Sequence, residues 1–241
     1  MPSLTETREM PARRTNPNGS LSTNHDRSLL WIDAVGGFLL VTRPAVTIGG
    51  PTGADSDIQL LASPSRTHAT IHRDNGHYRL QAHAPTRVNR QDVDDWAELS
   101  DGAEISLGRS VQLDFHQPSV LSASARLGFQ SDHRPAQSLD GVVLVADTCL
   151  LGPGRDCHVN CPEWDDSVIL IRRDRQWLVR SPRLNLEING EPLRGEADVS
   201  NGQIVTGPEL RFHIEPNTPA NTPANTPANT PADTPQRGRQ T

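Results

Sequence analysis

The sequence contains no lysine: all 23 of its basic residues are arginine. That absence excludes Schiff-base chemistry, a P-loop lysine and the phosphate-anchoring lysine of protein kinases. Aromatic residues are scarce, at 4%. The few tryptophans (Trp31, Trp96, Trp164, Trp177) read most simply as packing residues. Cysteine is limited to Cys149, Cys157 and Cys161. An odd count in a chain this long is no disulfide framework. No apolar run is long enough for a membrane-spanning helix. The polar, charged first residues lack the apolar centre of a secretory signal. Excess positive charge is missing too: the formal net charge is −6, which argues against nucleic-acid binding, where basic side chains must neutralise phosphates. These absences lead to the expectation of a soluble, cytoplasmic protein.

What is present is a β pattern. Short apolar runs alternate with Gly, Pro, Asn and Asp, as in GGFLLVT (36–42), AVTI (45–48), DIQLL (57–61), HATIHR (68–73), HYRLQA (77–82) and SVQLDFH (110–116). His77–Ala82 and Val111–Phe115 alternate at period two, the mark of a strand with one buried face. No long stretch has helical period. Many short strands joined by turn residues predict a sandwich or barrel. Residues 123–215 echo the same order: Gly141–Val145 echoes Gly37–Val41, Leu150-Leu151-Gly152 echoes Thr47-Ile48-Gly49, Gln176–Val179 echoes His77–Leu80, and Ile188-Asn189-Gly190 echoes Val88-Asn89-Arg90. Order at nearly matched spacing predicts two copies of one unit. The expected organisation is all-β: a disordered tail at 1–27, antiparallel β-sandwiches at 28–117 and 123–215, and a Thr/Pro-rich low-complexity tail at 216–241. The last contains NTPA repeats, whose regular proline blocks helix and sheet.

The most specific string is Ser65-Arg66-Thr67-His68, before the strand HATIHR. It is followed by Val88-Asn89 and then by Leu99–Gly108 (LSDGAEISLG) ahead of a closing strand. This ordered set resembles the forkhead-associated (FHA) domain over about 30–117, and more faintly over 123–215. The resemblance implies a β-sandwich that binds phosphothreonine-containing protein segments and acts as a non-enzymatic signalling adaptor. It assigns phosphopeptide binding to Ser65, Arg66 and Asn89, and a loop-bracing structural role to His68. The implied partners are phosphorylated proteins, substrates of a Ser/Thr kinase or the kinase itself. No cofactor, metal or catalytic residue is implied. The chemistry is coherent, since a phosphothreonine carries nearly two negative charges and three acceptor oxygens, matched by a hydroxyl and a guanidinium on a rigid rim.

Two departures stand out. Gly50 follows Ile48-Gly49 where the family usually has an arginine, which removes a phosphate donor. The second copy keeps Gly154-Arg155 and Asn189-Gly190 but has Trp164-Asp165-Asp166-Ser167 in place of Ser-Arg-x-His, so it reads as a degenerate sandwich whose aspartates would repel phosphate. Arg155 reaching across to complete the first site is an open possibility. The other reading is a phosphorylation-independent scaffold, or a self-associating structural protein. A Ser65–His68–Asp57 hydrolase lacks a nucleophile elbow. Cys157-His158-x-x-Cys161 lacks a second ligand pair at finger spacing and reads as strand cysteines. Thr230-Pro231-Ala232-Asp233 fits a Thr-x-x-Asp pattern for capture by an FHA domain after phosphorylation, against an inert linker.

Overall fold

The computed structural model describes residues 26–51, 56–61, 65–119, 122–131, 135 and 139–217. Most of the two expected tails, including Thr230–Asp233, lies outside the described residues. Of those tails, Arg27 and Pro216 belong to strands, and Asn217 N donates to Arg27 O at 3.2 Å.

The chain is all-β. Its first half forms β1 (Arg27–Ile32), β2 (Gly36–Val41), β3 (Ala45–Gly49), β4 (Ile58–Gln59), β5 (Ala69–Asp74), β6 (His77–Ala82), β7 (Thr86–Val88), β8 (Gln91–Asp92), β9 (Trp96–Leu99), β10 (Ala103–Leu107) and β11 (Val111–His116). The second half forms β12 (Ala125–Phe129), β13 (Gly141–Leu144), β14 (Thr148–Gly152), β15 (Val159–Asn160), β16 (Val168–Arg173), β17 (Gln176–Arg180), β18 (Glu187–Ile188), β19 (Glu191–Pro192), β20 (Ala197–Asp198), β21 (Ile204–Gly207) and β22 (Leu210–Pro216). The alternation read in His77–Ala82 is real: Tyr78 and Leu80 are buried, while His77 and Arg79 are exposed.

Two five-stranded sheets have the same plan, β4-β3-β5-β6-β9 and β15-β14-β16-β17-β20. They lie against one twelve-stranded sheet of order β19-β18-β21-β22-β1-β2-β13-β12-β11-β10-β7-β8. The expected segments 28–117 and 123–215 therefore trade their first two strands. β11 pairs with β12 rather than β1, and β1 pairs with β22. The halves meet where β2 and β13 run parallel, with Val142 opposite Leu39 and Val143 opposite Leu40.

This arrangement explains the composition of the central strands. Leu39, Val41, Val142 and Leu144 face one core, with Val46, Ile71, Leu80 and Phe115. Phe38, Leu40, Val143 and Val145 face the other, with Leu151, Leu170, Trp177 and Phe212. Strands covered on both faces need a continuous apolar run rather than alternation, as in GGFLLV and GVVL. Two long side chains tie each small sheet to the strand pair supplied by the other half. Tyr78 OH donates to Ala123 O at 2.6 Å, just before β12. Trp177 Nε1 donates to Ser28 Oγ on β1 at 3.0 Å.

Equivalent positions also solve one local problem with different chemistry. Thr47 N on β3 donates to Asp57 Oδ2 at 2.9 Å, and Asp57 pairs with Arg43 at 2.9 Å. Leu150 N on β14 donates instead to His158 Nδ1 at 3.0 Å. Burial, with 1% of the residue exposed, pushes the His158 imidazole down to about 4 from its ordinary 6.5, against the opposing pull of the Ser124 carbonyl and Asp156. A proton on Nδ1 would also face the Leu150 N–H. Between pH 6.5 and 4 the unfolded chain takes up a proton that the folded chain refuses. Stability is therefore expected to fall as pH drops through that window, by up to about 3 kcal/mol, and to be unaffected by this group above it. His158→Asn keeps an acceptor and removes the titration. Chemical denaturation at pH 7 and pH 4.5 should show a smaller loss in the variant than in wild type, and equal losses would refute the assignment.

Candidate functional site

The segment Ser65–His68 leads into β5 and is fixed through its backbone. Gly50 N donates to Ser65 O at 2.7 Å, and His68 N donates to Ile48 O at 2.7 Å. Ser56 Oγ donates to Arg66 O at 2.8 Å. These bonds draw the loop so tightly onto the end of β3 that Gly49 has no room for a side chain. A Cβ there would run into the Arg66 carbonyl and Ser56 Oγ. With the backbone occupied inward, Ser65 is left half-buried and Arg66 exposed. The Arg66 guanidinium has no partner among the described residues.

His68 lies beneath this loop with 1% of its surface exposed. Its Nε2 lies 3.0 Å from Pro85 O and donates to it. His83 N and Ala84 N donate to His68 O at 2.9 and 3.1 Å. Pro85 O also accepts from Gly108 N at 2.9 Å. His68 therefore joins three loops, 65–68, 83–85 and the β10–β11 turn at 108–110, into one rim. The imidazole of His83, at Nε2, is held 2.9 Å from Thr70 Oγ1. The 83–85 loop carries no motif visible in the sequence, and the Leu99–Gly108 string stops at the first residue of the β10–β11 turn, so His83 and Arg109 went unmarked.

Asn89 sits elsewhere. It occupies the β7–β8 turn, where Asn89 and Arg90 both have positive φ (51° and 67°). Its Oδ1 accepts from Glu104 N at 3.0 Å. Asn189 does the same in the second half, with φ of 51° and Oδ1 accepting from Ile204 N at 3.0 Å. A turn clamp repeated in both halves accounts for this asparagine, because short polar side chains tolerate the left-handed region and bond locally. The structure joins Ser65, Arg66 and His68 and leaves Asn89 outside that group.

Arg155 does not reach the rim. It lines a cleft of about 380 Å³ with Asp101, His116, Arg126 and His158. Asp101 and His116 lie at the end of the β10–β11 hairpin opposite to Gly108, since Ala103 pairs with Phe115 and Leu107 with Val111.

The second half shows the same site filled and reversed in charge. Leu151 opposes Val168 as Ile48 opposes Ala69, which sets Trp164–Ser167 in the place of Ser65–His68. Trp164 is buried and stacks on Phe212, ring centres 6.1 Å apart. Asp166 accepts from Ser167 N at 2.7 Å and pairs with Arg183 at 3.3 Å.

Among the described residues, Ser65, His68 and Asp57 are not brought together as a triad. The Asp57 carboxylate is directed at Thr47 and Arg43, while His68 Nε2 faces Pro85. All three cysteines are buried and unbridged. Burial pushes the Cys149 thiol far up and the Cys161 thiol to about 12, so both are poor nucleophiles. Among the described residues no group of three or more His, Cys, Asp or Glu is placed to hold a metal ion.

No curated protein matches the chain. Among solved structures, it is similar to the NMR-based structure of the FHA-2 domain of a Mycobacterium tuberculosis ABC transporter, at 23% identity, covering 55% of this chain and 97% of that one, with a TM-score of 0.29. It is also similar to the N-terminal FHA domain of EssC, a component of the bacterial type VII secretion apparatus, at 13% identity, covering 79% and 93%, with a TM-score of 0.24. Independently, residues 46–108 match the family model of the FHA domain. That span holds β3 to β10 and the whole Ser65–His68 rim, and so residues 46–108 are an FHA domain, in general a phosphothreonine-binding signalling module.

Proposed function

We propose that this protein is a non-enzymatic adaptor that binds phosphothreonine-containing protein segments at the rim formed by Ser65 and Arg66, with His68 as the brace beneath. The observation that carries this reading is the loop itself. Its backbone is fixed by Gly50, Ser56 and Ile48, so the hydroxyl of Ser65 and the guanidinium of Arg66 are offered from a rigid base. A donor set held before binding loses little freedom on meeting a phosphate, and arginine pairs phosphate with charge-assisted bonds. Asn89 enters this reading only as the clamp of a neighbouring turn. The partners are phosphorylated proteins, taken to be substrates of a Ser/Thr kinase or the kinase itself, in the cytoplasm.

The test uses the full chain against a degenerate phosphothreonine peptide library and its unphosphorylated counterpart. Ser65→Ala and Arg66→Ala should each weaken binding of a selected phosphopeptide by about 10- to 100-fold, the scale of a hydrogen bond to a charged group. Equal retention of phosphorylated and unphosphorylated peptides would favour the phosphorylation-independent scaffold, a reading that the glycine at position 50 keeps in view.

A further inference from the structure

Position 50 presents no side chain to a phosphate, and Arg155 lies at the far end of the first sandwich. A second cation is nevertheless present on the rim. Arg109 sits at the tip of the β10–β11 turn, after Gly108 at a φ of 61°. That turn is held to the rim by Gly108 N donating to Pro85 O, the same carbonyl that His68 Nε2 engages. A Cβ on Gly108 would stand 3.7 Å from His68 Cε1, so the turn lies directly beside the brace of the Ser65 loop. Arg109 is exposed, and its guanidinium, like that of Arg66, has no partner among the described residues. Loops 65–68, 83–85 and 108–110 contain two arginines, two histidines and no carboxylate.

The second half supplies an internal contrast. The β21–β22 turn, at the place of the β10–β11 turn, carries Glu209 with φ of 55°, and the position of Arg66 is taken by Asp165. Where Trp164 fills the site, both flanking charges are reversed together. Where Ser65 leaves it open, both are arginine. A pair of charges that changes sign as a pair is what a shared anionic ligand requires, and a merely solvated surface does not.

We infer that Arg109 is the second phosphate-binding cation of the first sandwich, supplied from the β10–β11 turn in place of the arginine absent at Gly50. This rests on the proposed phosphothreonine reading. The doubly charged ligand is then met by two guanidiniums from different loops, together with the Ser65 hydroxyl. A ligand carrying a single carboxylate, such as the same peptide with aspartate for phosphothreonine, gains less from two cations.

The experiment measures affinity of the full chain for one phosphothreonine peptide selected from a degenerate library, in wild type and in Arg66→Ala, Arg109→Ala, Arg109→Lys and Arg109→Glu. Arg109→Ala is expected to weaken binding about tenfold or more, Arg109→Glu further, and Arg109→Lys to recover part of the loss, since a charge-assisted contact is lost, reversed or kept as a point charge. Melting temperatures should stay within a degree or two of wild type, because the side chain is exposed and unpaired. If Arg66→Ala loses binding while Arg109→Ala and Arg109→Glu match wild type, the Arg109 assignment is overturned and the phosphothreonine reading stands. If wild type selects no phosphopeptide at all, both fall together.

Discussion

A chain that begins at Ala45, without β1 and β2, is expected to lose the half of the molecule farthest from the deletion in sequence. The missing strands form the edge on which β22 pairs, and they supply Leu30, Ile32, Phe38 and Leu40 to the second core. Truncating even one such buried side chain costs about 2–5 kcal/mol, against a total stability of about 5–15 kcal/mol for a typical domain. Trp177 also loses its partner Ser28. The first sandwich loses Leu29, Leu39 and Val41 but keeps β12 beside β11. Hydrogen exchange of the truncated chain should find the amides of β16 and β17 unprotected while β5 and β6 retain measurable protection. The reverse order would mean that β1 and β2 serve their own half, contrary to the sheet order described above.

The second large effect is expected from one added methyl group. Gly49→Ala places a Cβ where the Arg66 carbonyl and Ser56 Oγ now stand. The obstacle is backbone, so it cannot swing aside as the end of a long side chain would. Either β3 or the Ser65–Arg66 loop must move, and overpacking of this kind costs about 1–3 kcal/mol. On the proposed reading the functional loss exceeds the loss of stability. A displacement of an ångström separates Ser65 and Arg66 from the 83–85 loop, and phosphopeptide binding should drop beyond detection in a chain that still melts cooperatively. Crystallography or amide chemical shifts of the variant would show the displaced loop. Unchanged binding with the loop in place would contradict the close approach.

Much of this was legible from residue order alone, for identifiable reasons. Alternation in His77–Ala82 marks a strand with one wet face, and Tyr78 and Leu80 indeed point inward. The Ser65–His68 string could be placed before a strand because HATIHR follows it directly. The exchange of strand pairs was not legible. Gly37–Val41 and Gly141–Val145 look alike, and nothing local tells β11 whether to pair with β1 or β12. The clue lay in their continuous apolar character, which signals burial on both faces, but a single sandwich offers only one. Asn89 misled because a turn-clamping asparagine and a ligand-binding one share a residue type. Its twin at Asn189, bonded in the same way, shows the local role. His83 lies in a loop without a motif and Arg109 one residue past the Leu99–Gly108 string, and only the hydrogen bonds converging on Pro85 O bring them to the rim.

Whether the first sandwich reads phosphothreonine is decided most directly by amide chemical-shift mapping of the full chain, titrated with a library-selected phosphothreonine peptide and with its dephosphorylated form. The expected result is phosphate-dependent shifts at Gly50, Ser65, Arg66 and the 83–85 and 108–110 loops, with Trp164–Ser167 silent. Shifts that are the same with and without the phosphate, or that centre on the second sandwich, would contradict it.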